Sequence, residues 1–574
     1  GITNSNTNYL ATNIYGEYEN TFGDAHYFKG MLGYNYEQSV FNSILTQRNG
    51  LIYPGADNLN LTTGSGIKVN SGYEKWRIAG GFFRLNYSFK DRYLVEINGR
   101  YDGSTKFPVN QQWGFFPSIS AGWRISNESF WKVDYNAISD LKIRASYGSL
   151  GNGNIPSYNY QELFGIAQMT RLINGKLSQK TSQPAVIPDG LTWETSTTSN
   201  IGLDLTTLAG RLSFTGDAYV RKTKNMFAVG MDLPAVFGAT PPKGNYADMT
   251  TRGWELSLGW RDRFDLGQSP FRYNIRVTLA DHLSKIDKYT NPEKDMGNYA
   301  DARINYYEGM TLGEIWGYVT EGFFISEEDI QKHAKQDLFE PSATRTWLPG
   351  DIKFKDLDGD GRITYGSNKI GDHGDRIIVG NSTPRYAYSV NLGADWKGFF
   401  LNVFMQGIGK QDWWPGTDNQ FFWGQYNRPY GNVPKSMIGN IWSEDNPDTY
   451  FPRYRGYVAL QGRRELAVVQ TRYMQSVAYI RLKNLQIGYN LPKNLISKAK
   501  MKDAKIYLSG ENLWSWSPLY KYTKNFDVGN IYGQDIEAAQ VDANGGKNTV
   551  IANGGQTYNY PILKSISIGL SVTF

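Results

Sequence analysis

The sequence predicts an all-β chain, a transmembrane antiparallel β-barrel portion of about fifteen strands with long loops on one side and short turns on the other. Three observations predict it. Apolar residues alternate strictly with polar ones over stretches of membrane-crossing length: Tyr386, Tyr388, Val390, Leu392, Ala394 and Trp396 share one face, Ser389, Asn391, Gly393 and Asp395 the other. That is the period of a strand, and about ten residues suffice for a tilted strand to cross a bilayer. Tight turns alternate with long polar connections along the chain. The composition is rich in aromatics at 15%, with 40 Tyr and 16 Trp, while mean hydropathy is only −0.50. An apolar outer face combined with polar lumen and loops produces that mixture.

The elements follow in order. Asn8 to Phe22 and Tyr27 to Tyr36 read as a strand pair around Gly23-Asp24, followed by a polar loop from about Gln38 to Ser71. Phe83, Leu85, Tyr87 and Phe89 precede a Lys90-Asp91 turn, then Tyr93, Val95, Ile97, Gly99 and Tyr101 return. The intervening Arg84, Asn86, Glu96 and Arg100 suit a wall facing water and not a soluble core. Pro117 to Ile125 pairs with Leu141 to Tyr147. Ile201 to Leu205 turns at Ala209-Gly210 into Leu212 to Val220, and Trp254 to Trp260 joins Phe271 to Leu279. Lys397-Gly398 makes a two-residue turn into Phe399, Leu401, Val403 and Met405, the Gly supplying positive φ. Tyr479 to Tyr489 pairs with Lys505 to Leu513, and a phase slip near Lys483-Asn484 predicts a bulge. Ile566, Ile568, Leu570, Val572 and Phe574 end the chain on one face. Long connections fall at about 38–72, 151–190, 226–250, 412–474 and 516–561, and the longest at about 287–383. One helix is expected, SEEDIQKHAKQ at 326–336, with Ser326 as N-cap and Glu327, Glu328 and Asp329 in the first turn.

Several function classes drop out. There is no Cys, so disulfides and thiolate metal sites are excluded. The net charge of +6 is spread thinly, without the basic cluster that nucleic acid requires. His26, His282, His333 and His373 are scattered without ligand spacing, and no nucleophile elbow or phosphate loop stands in a suitable strand–helix context. Catalysis and an organic cofactor are therefore not expected.

Two candidate sites remain. Asp356, Asp358, Asp360 and Gly361 occupy positions 1, 3, 5 and 6 of an EF-type Ca2+ loop, with the Arg362 carbonyl at position 7, apolar Ile363 at 8 and Thr364 at 9. Position 12 is Ser367 where a bidentate Glu belongs, so Asp372 or Asp375 would have to replace it. A solvated acidic turn is the competing reading. The aromatics Trp413, Trp414, Phe422, Trp423 and Tyr426 are candidates for stacking on substrate, within a wider group that includes Phe421, Tyr430 and Trp442. Contact with a partner lid, packing inside a large loop and a girdle at the membrane boundary compete with that role.

Residues RYDGSTKF (100–107), WGFFPSISAGWRISNE (113–128), LKIRASYGSLGN (141–152), LTWETSTTSNIGLDL (191–205), GDIKFKDLDGDGRI (350–363), IVGNSTPRYAYSVNLGADWKGF (378–399) and YIRLKNLQIGYNLP (479–492) resemble the C-terminal part of SusC/RagA-type TonB-dependent outer-membrane transporters. The resemblance runs from about residue 70 to the end. It implies residues 1–574 of a 22-strand barrel in the outer membrane of a Gram-negative bacterium, surrounded by its lipids, and a SusD-like lipoprotein capping the extracellular mouth. It further implies TonB-driven import of oligomeric glycans or peptides. TonB would act through an N-terminal plug region and TonB box that this chain does not contain, nor does it contain the early strands. The alternative function is an outer-membrane or surface binding or adhesion protein without active transport.

Overall fold

The structure is a computed structural model that describes residues 1–574 apart from 54, 56–57, 65–66, 183, 185, 189, 231–235, 237–240, 298–303, 337–338, 340–345, 418, 462–463 and 532–561. Fifteen strands form one antiparallel sheet in which each strand neighbours the next in the chain. They are β1 Ile2–Phe22, β2 His26–Arg48, β3 Ile67–Phe89, β4 Tyr93–Ser104, β5 Trp113–Arg124, β6 Ile138–Asn152, β7 Glu194–Thr207, β8 Leu212–Val229, β9 Lys243–Leu266, β10 Ser269–Lys288, β11 Arg385–Trp396, β12 Phe399–Lys410, β13 Tyr479–Asn490, β14 Asp503–Trp516 and β15 Ser565–Thr573. The five longest connections, after β2, β6, β10, β12 and β14, all follow even-numbered strands. No helix among the described residues is long and apolar enough to cross a membrane.

The chain divides into two compact units. In the first, register lines up Leu85, Ile97, Ile119 and Tyr147 across β3 to β6. One residue along, Asn86, Glu96, Ser120 and Ser146 make the opposite, polar face. In the second unit Ile275, Leu392, Val403 and Leu485 form an apolar row across β10 to β13, and Asn274, Gly393, Asn402 and Gln486 a polar one. The row through Ile487 and Leu508 reaches Ile568, which is 79% exposed. A sheet this apolar on one face and this exposed there is built to meet hydrocarbon.

The tight turns use left-handed backbone. Lys90 and Asp91 have φ of 49° and 53°, and Lys397 and Gly398 of 48° and 89°. At Gly398 a Cβ would lie 2.9 Å from the Tyr489 ring, so both conformation and space require Gly. The phase slip near Lys483 is a bulge. Lys483 has no partner in the registers with β12 and β14, and its Nζ donates to Asn512 Oδ1 at 3.2 Å, Asn512 itself having φ of 52°.

Other expectations are corrected. The polar loop expected from Gln38 is strand as far as Arg48, and β3 begins at Ile67, so the connection shrinks to 49–66. The ladder runs on because backbone pairing continues where neither face has to be apolar. The connection expected at 226–250 shrinks to 230–242 for the same reason. The stretch 151–190, read as loop, contains a two-stranded hairpin, Ile166–Ile173 with Lys176–Thr181. The expected helix is only Glu327–Lys332; Ser326 caps it by accepting from Asp329 N at 3.1 Å, and it stops at His333, whose backbone is extended. Most of the connection expected at 516–561 lies outside the described residues.

Buried apolar side chains gather mostly in the connections, with a few strand residues such as Phe116 and Ile286 joining them. Phe107, Phe116, Ile155, Leu191 and Trp193 make a small core in the first unit. In the second, one cluster centres on Ile286, Met296 and Trp316, and a larger one draws on segments from Ile315 to Ile531. Since lipid takes the apolar face of the sheet, the long connections must supply a core of their own.

Candidate functional sites in the long connections

The acidic loop follows the short strand Ile352–Phe354, which pairs with Thr320–Phe323. Each acidic side chain folds the backbone that follows it. Asp356 Oδ1 accepts from Gly359 N at 2.7 Å and Oδ2 from Gly361 N at 3.0 Å. Asp358 Oδ1 accepts from Asp360 N at 3.1 Å, and Asp360 Oδ1 from Arg362 N at 2.7 Å. Gly359 and Gly361 take φ of 77° and 82°, which lets the chain coil around the carboxylates. Ile363, buried in the large loop core, donates its N–H to Lys335 O at 2.9 Å, while Lys335 N donates to Gly361 O at 2.9 Å.

Carboxylate oxygens of Asp356, Asp358 and Asp375 lie within 4.8 Å of one another. Asp375 thus stands where the sequence left position 12 open. It is fully buried, and its oxygens accept from Leu357 N and Thr364 N, both at 2.7 Å. Burial, together with the neighbouring Asp358 and Asp356, pushes its pKa above the ordinary carboxylate value. Asp372 is turned to Ser367 N at 2.9 Å, and the Asp360 carboxylate falls outside the three-oxygen group. The chemistry of such a donor set, hard oxygens only, fits Ca2+.

The five aromatics expected to stack on substrate are all buried: Trp413, Trp414, Phe422, Trp423 and Tyr426 belong to the large loop core. Phe422 meets Trp423 edge-on with centroids 4.9 Å apart, Trp414 lies 6.0 Å from Trp423, and Trp423 lies 5.2 Å from Tyr473. Trp423 Nε1 donates to Pro415 O at 2.9 Å, and the Tyr426 hydroxyl to Pro452 O at 2.6 Å. Burial pushes the Tyr426 pKa far up. These rings face each other, so of the competing readings packing inside the loop describes them. Tyr430, at 80% exposure, and half-exposed Tyr454 and Tyr457 present the aromatic faces of this region.

Sequence reasoning missed a buried ionic group beside this core. Asp351 and Glu465 are both fully buried. Arg455 binds Asp351 with two nitrogens, and Glu465 Oε2 accepts from Ile352 N at 2.8 Å while Oε1 has no hydrogen-bond partner among the described residues. No periodicity marks such a group, because its members are 114 positions apart (465 − 351) and meet only through folding. On the polar face of the first unit a cavity of about 460 Å³ opens among Asn86, Glu96, Ser120, Arg144, Ser146 and Asn200.

Strands of membrane-crossing length, one apolar face, one polar face and separately packed long loops define the wall of an outer-membrane β-barrel. The chain belongs to the family described as TonB dependent receptor-like, beta-barrel, whose model matches residues 1–513, and it is similar to SusC- and RagA-type members. It is 27% identical over 583 residues to TonB-dependent receptor P3 of Formosa agariphila, covering 99% of this chain and 52% of that protein. It is 24% identical over 501 residues to TonB-dependent receptor SusC of Bacteroides thetaiotaomicron, covering 86% of this chain and 43% of that one. In fold it is similar to the RagAB peptide transporter, with a TM-score of 0.74 at 21% identity, over 100% of this chain and 56% of the other. The chain therefore spans about half the length of the relatives it matches. Its location is the outer membrane.

Proposed function

We propose that the chain is the greater part of the barrel of a transporter that imports oligomeric nutrients, glycans or peptides, with energy supplied through TonB and with a SusD-like lipoprotein as extracellular lid. One observation carries this reading: a meander of membrane-length strands with register-matched apolar and polar faces, in a receptor family, topped by loops that fold on their own. Barrel walls of this kind enclose a polar path, and folded loops offer a partner a defined surface. The RagAB relative is described as a peptide transporter, which keeps peptides beside glycans as cargo. A binding and transport role, not catalysis, accords with the receptor family. The test is uptake by cells carrying the whole protein. Loss of growth on one class of oligomer after deletion, restored by complementation, supports import; unchanged growth on every oligomer, with surface adhesion lost, supports the adhesion alternative.

The acidic loop enters this reading as a Ca2+ site that orders the long connection between β10 and β11, with Asp356, Asp358 and Asp375 as carboxylate donors and the Arg362 carbonyl and Thr364 beside them. A divalent cation would relieve the repulsion among three clustered carboxylates. Calorimetric Ca2+ titration of the purified protein tests it. Heat is expected for the native chain and none for Asp358→Ala with Asp375→Asn; absence of heat in both leaves a solvated acidic turn.

A further inference from the structure

Outside the fifteen-stranded sheet, the hairpin Ile166–Ile173/Lys176–Thr181 is exposed almost throughout. Asn174 and Gly175 turn it with φ of 50° and 73°. Its strands pair only with each other, so each keeps one backbone edge unpaired among the described residues. Phe164 is 65% exposed, Ile166 71% and Leu172 65%, with Leu163 and Leu177 also exposed. A two-stranded hairpin is marginal in water without a further strand or an apolar face to cover it. Its register slips between Gln168 and Leu172, so Met169, Thr170 and Arg171 fall outside the paired ladder.

The charge is one-sided. From Leu163 to Pro188 the chain has Arg171, Lys176 and Lys180 and no Asp or Glu. None of the three cations has an ion-pair partner among the described residues. Lysines on a free edge discourage pairing with another neutral or basic strand, a second copy of this hairpin included, and favour an acidic one. A lipid surface would satisfy the cations and the apolar side chains but offers no regular ladder of alternating N–H and C=O groups for the strand edge.

We propose that this hairpin is a docking element for the extracellular lid protein, taking an extended acidic segment of that partner along its free edge. The contact combines strand addition, which supplies main-chain hydrogen bonds, with carboxylates set against Arg171, Lys176 and Lys180. This rests on the lid reading above and adds where, and through what chemistry, the lid is held.

The experiment uses the whole protein in detergent and its purified SusD-like lipoprotein, comparing the native chain with Arg171→Glu, Lys176→Glu and Lys180→Glu combined. Binding is expected to weaken about tenfold or more, and its salt dependence to flatten. Heat-modifiable migration should be unchanged, since the hairpin lies outside the barrel sheet. A second variant, Leu172→Ser with Leu177→Ser, should weaken binding with the salt dependence retained. Equal affinity for the native and charge-reversed chains overturns the hairpin assignment while the lid reading stands. No binding by the native chain overturns both. Equal lid affinity accompanied by loss of binding to vesicles containing anionic lipid would reassign the hairpin to the membrane surface and overturn the proposal.

Discussion

Glu465 shows how one residue ties the largest loop core to acidity. Its carboxyl is fully buried and holds Ile352 N, and burial, then the neighbouring Asp351, raises its pKa well above the ordinary value, with Arg455 offsetting part. The folded loop therefore keeps this proton to higher pH than the unfolded chain, in which a Glu titrates near ~4.3. The sign follows: no penalty exists below about that pH, and stability of the loop core falls as pH rises from there toward the raised folded value. Gln in place of Glu465 keeps an acceptor for Ile352 N and removes the titration. Above neutral pH the Glu465→Gln loop core should be more stable than the native one, on the order of 1–3 kcal/mol, the range for an unsatisfied buried polar group. Tryptophan fluorescence reads this directly, because Trp413, Trp414 and Trp423 sit in the same core. Identical pH profiles for the two proteins would disprove it.

A second residue pair anchors the longest connection where it re-enters the sheet. Arg385 grips Asp281 with two nitrogens, and Asp281 Oδ1 also accepts from Tyr386 N at 3.3 Å. Tyr386 has φ of 55°, an unfavourable conformation for an aromatic residue, so something must hold it. Asp281→Asn should loosen the 289–384 connection and leave barrel assembly intact. Hydrogen exchange would show faster exchange confined to that connection; protection unchanged there would show that the pair is dispensable.

At the scale of elements, what the sequence revealed depended on whether a strand's two faces differ. Where one face meets hydrocarbon and the other water, period two is written plainly, as from Tyr386 to Trp396 and from Ile566 to Phe574. The bulge at Lys483 was legible for the same reason, since one inserted residue throws the alternation out of phase. Gln38 to Arg48 continues β2 without alternating, and the 166–181 hairpin buries neither face, so neither announced itself. Loop-core aromatics were visible as a cluster, but sequence does not say whether a cluster faces inward, and Trp423 does. The apolar row through Ile275, Leu392, Val403 and Leu485 supports a direct test of register one step along β12, at Leu401, which pairs with Ala394 and Ile487 on the same face. Leu401→Arg should cost about 2–4 kcal/mol if the residue lies near the membrane midplane. Folding yield and heat-modifiable migration in detergent measure it. An Arg tolerated there without loss would mean that this face does not meet lipid.

Taken whole, the molecule is held together by two separate means. Ladder hydrogen bonds run through the fifteen-stranded sheet, whereas the connections depend on apolar clusters around residues such as Phe354, Trp423 and Tyr473. Urea weakens apolar clusters by solvating them, while a paired sheet in detergent keeps its ladder. Unfolding in detergent should accordingly show a first transition in tryptophan fluorescence at urea concentrations that leave the β-type circular dichroism intact. A single coincident transition would mean that loops and sheet form one cooperative unit.

Packed connections also decide what a protease at the cell surface can reach. Cleavage needs an extended, accessible segment, and such segments concentrate at exposed tips. Arg472 is half-buried beside Tyr473 of the large core and binds the Thr449 and Tyr450 carbonyls, whereas Arg171 and Lys176 stand on the exposed hairpin. Trypsin added to intact cells should therefore nick the chain within 171–180 long before it touches 471–477, and a bound lid should slow that first cut. The core that the sheet could not house thus acts as armour for the segments packed in it, and leaves the hairpin, where a partner would sit, open to the digestive chemistry of the surroundings.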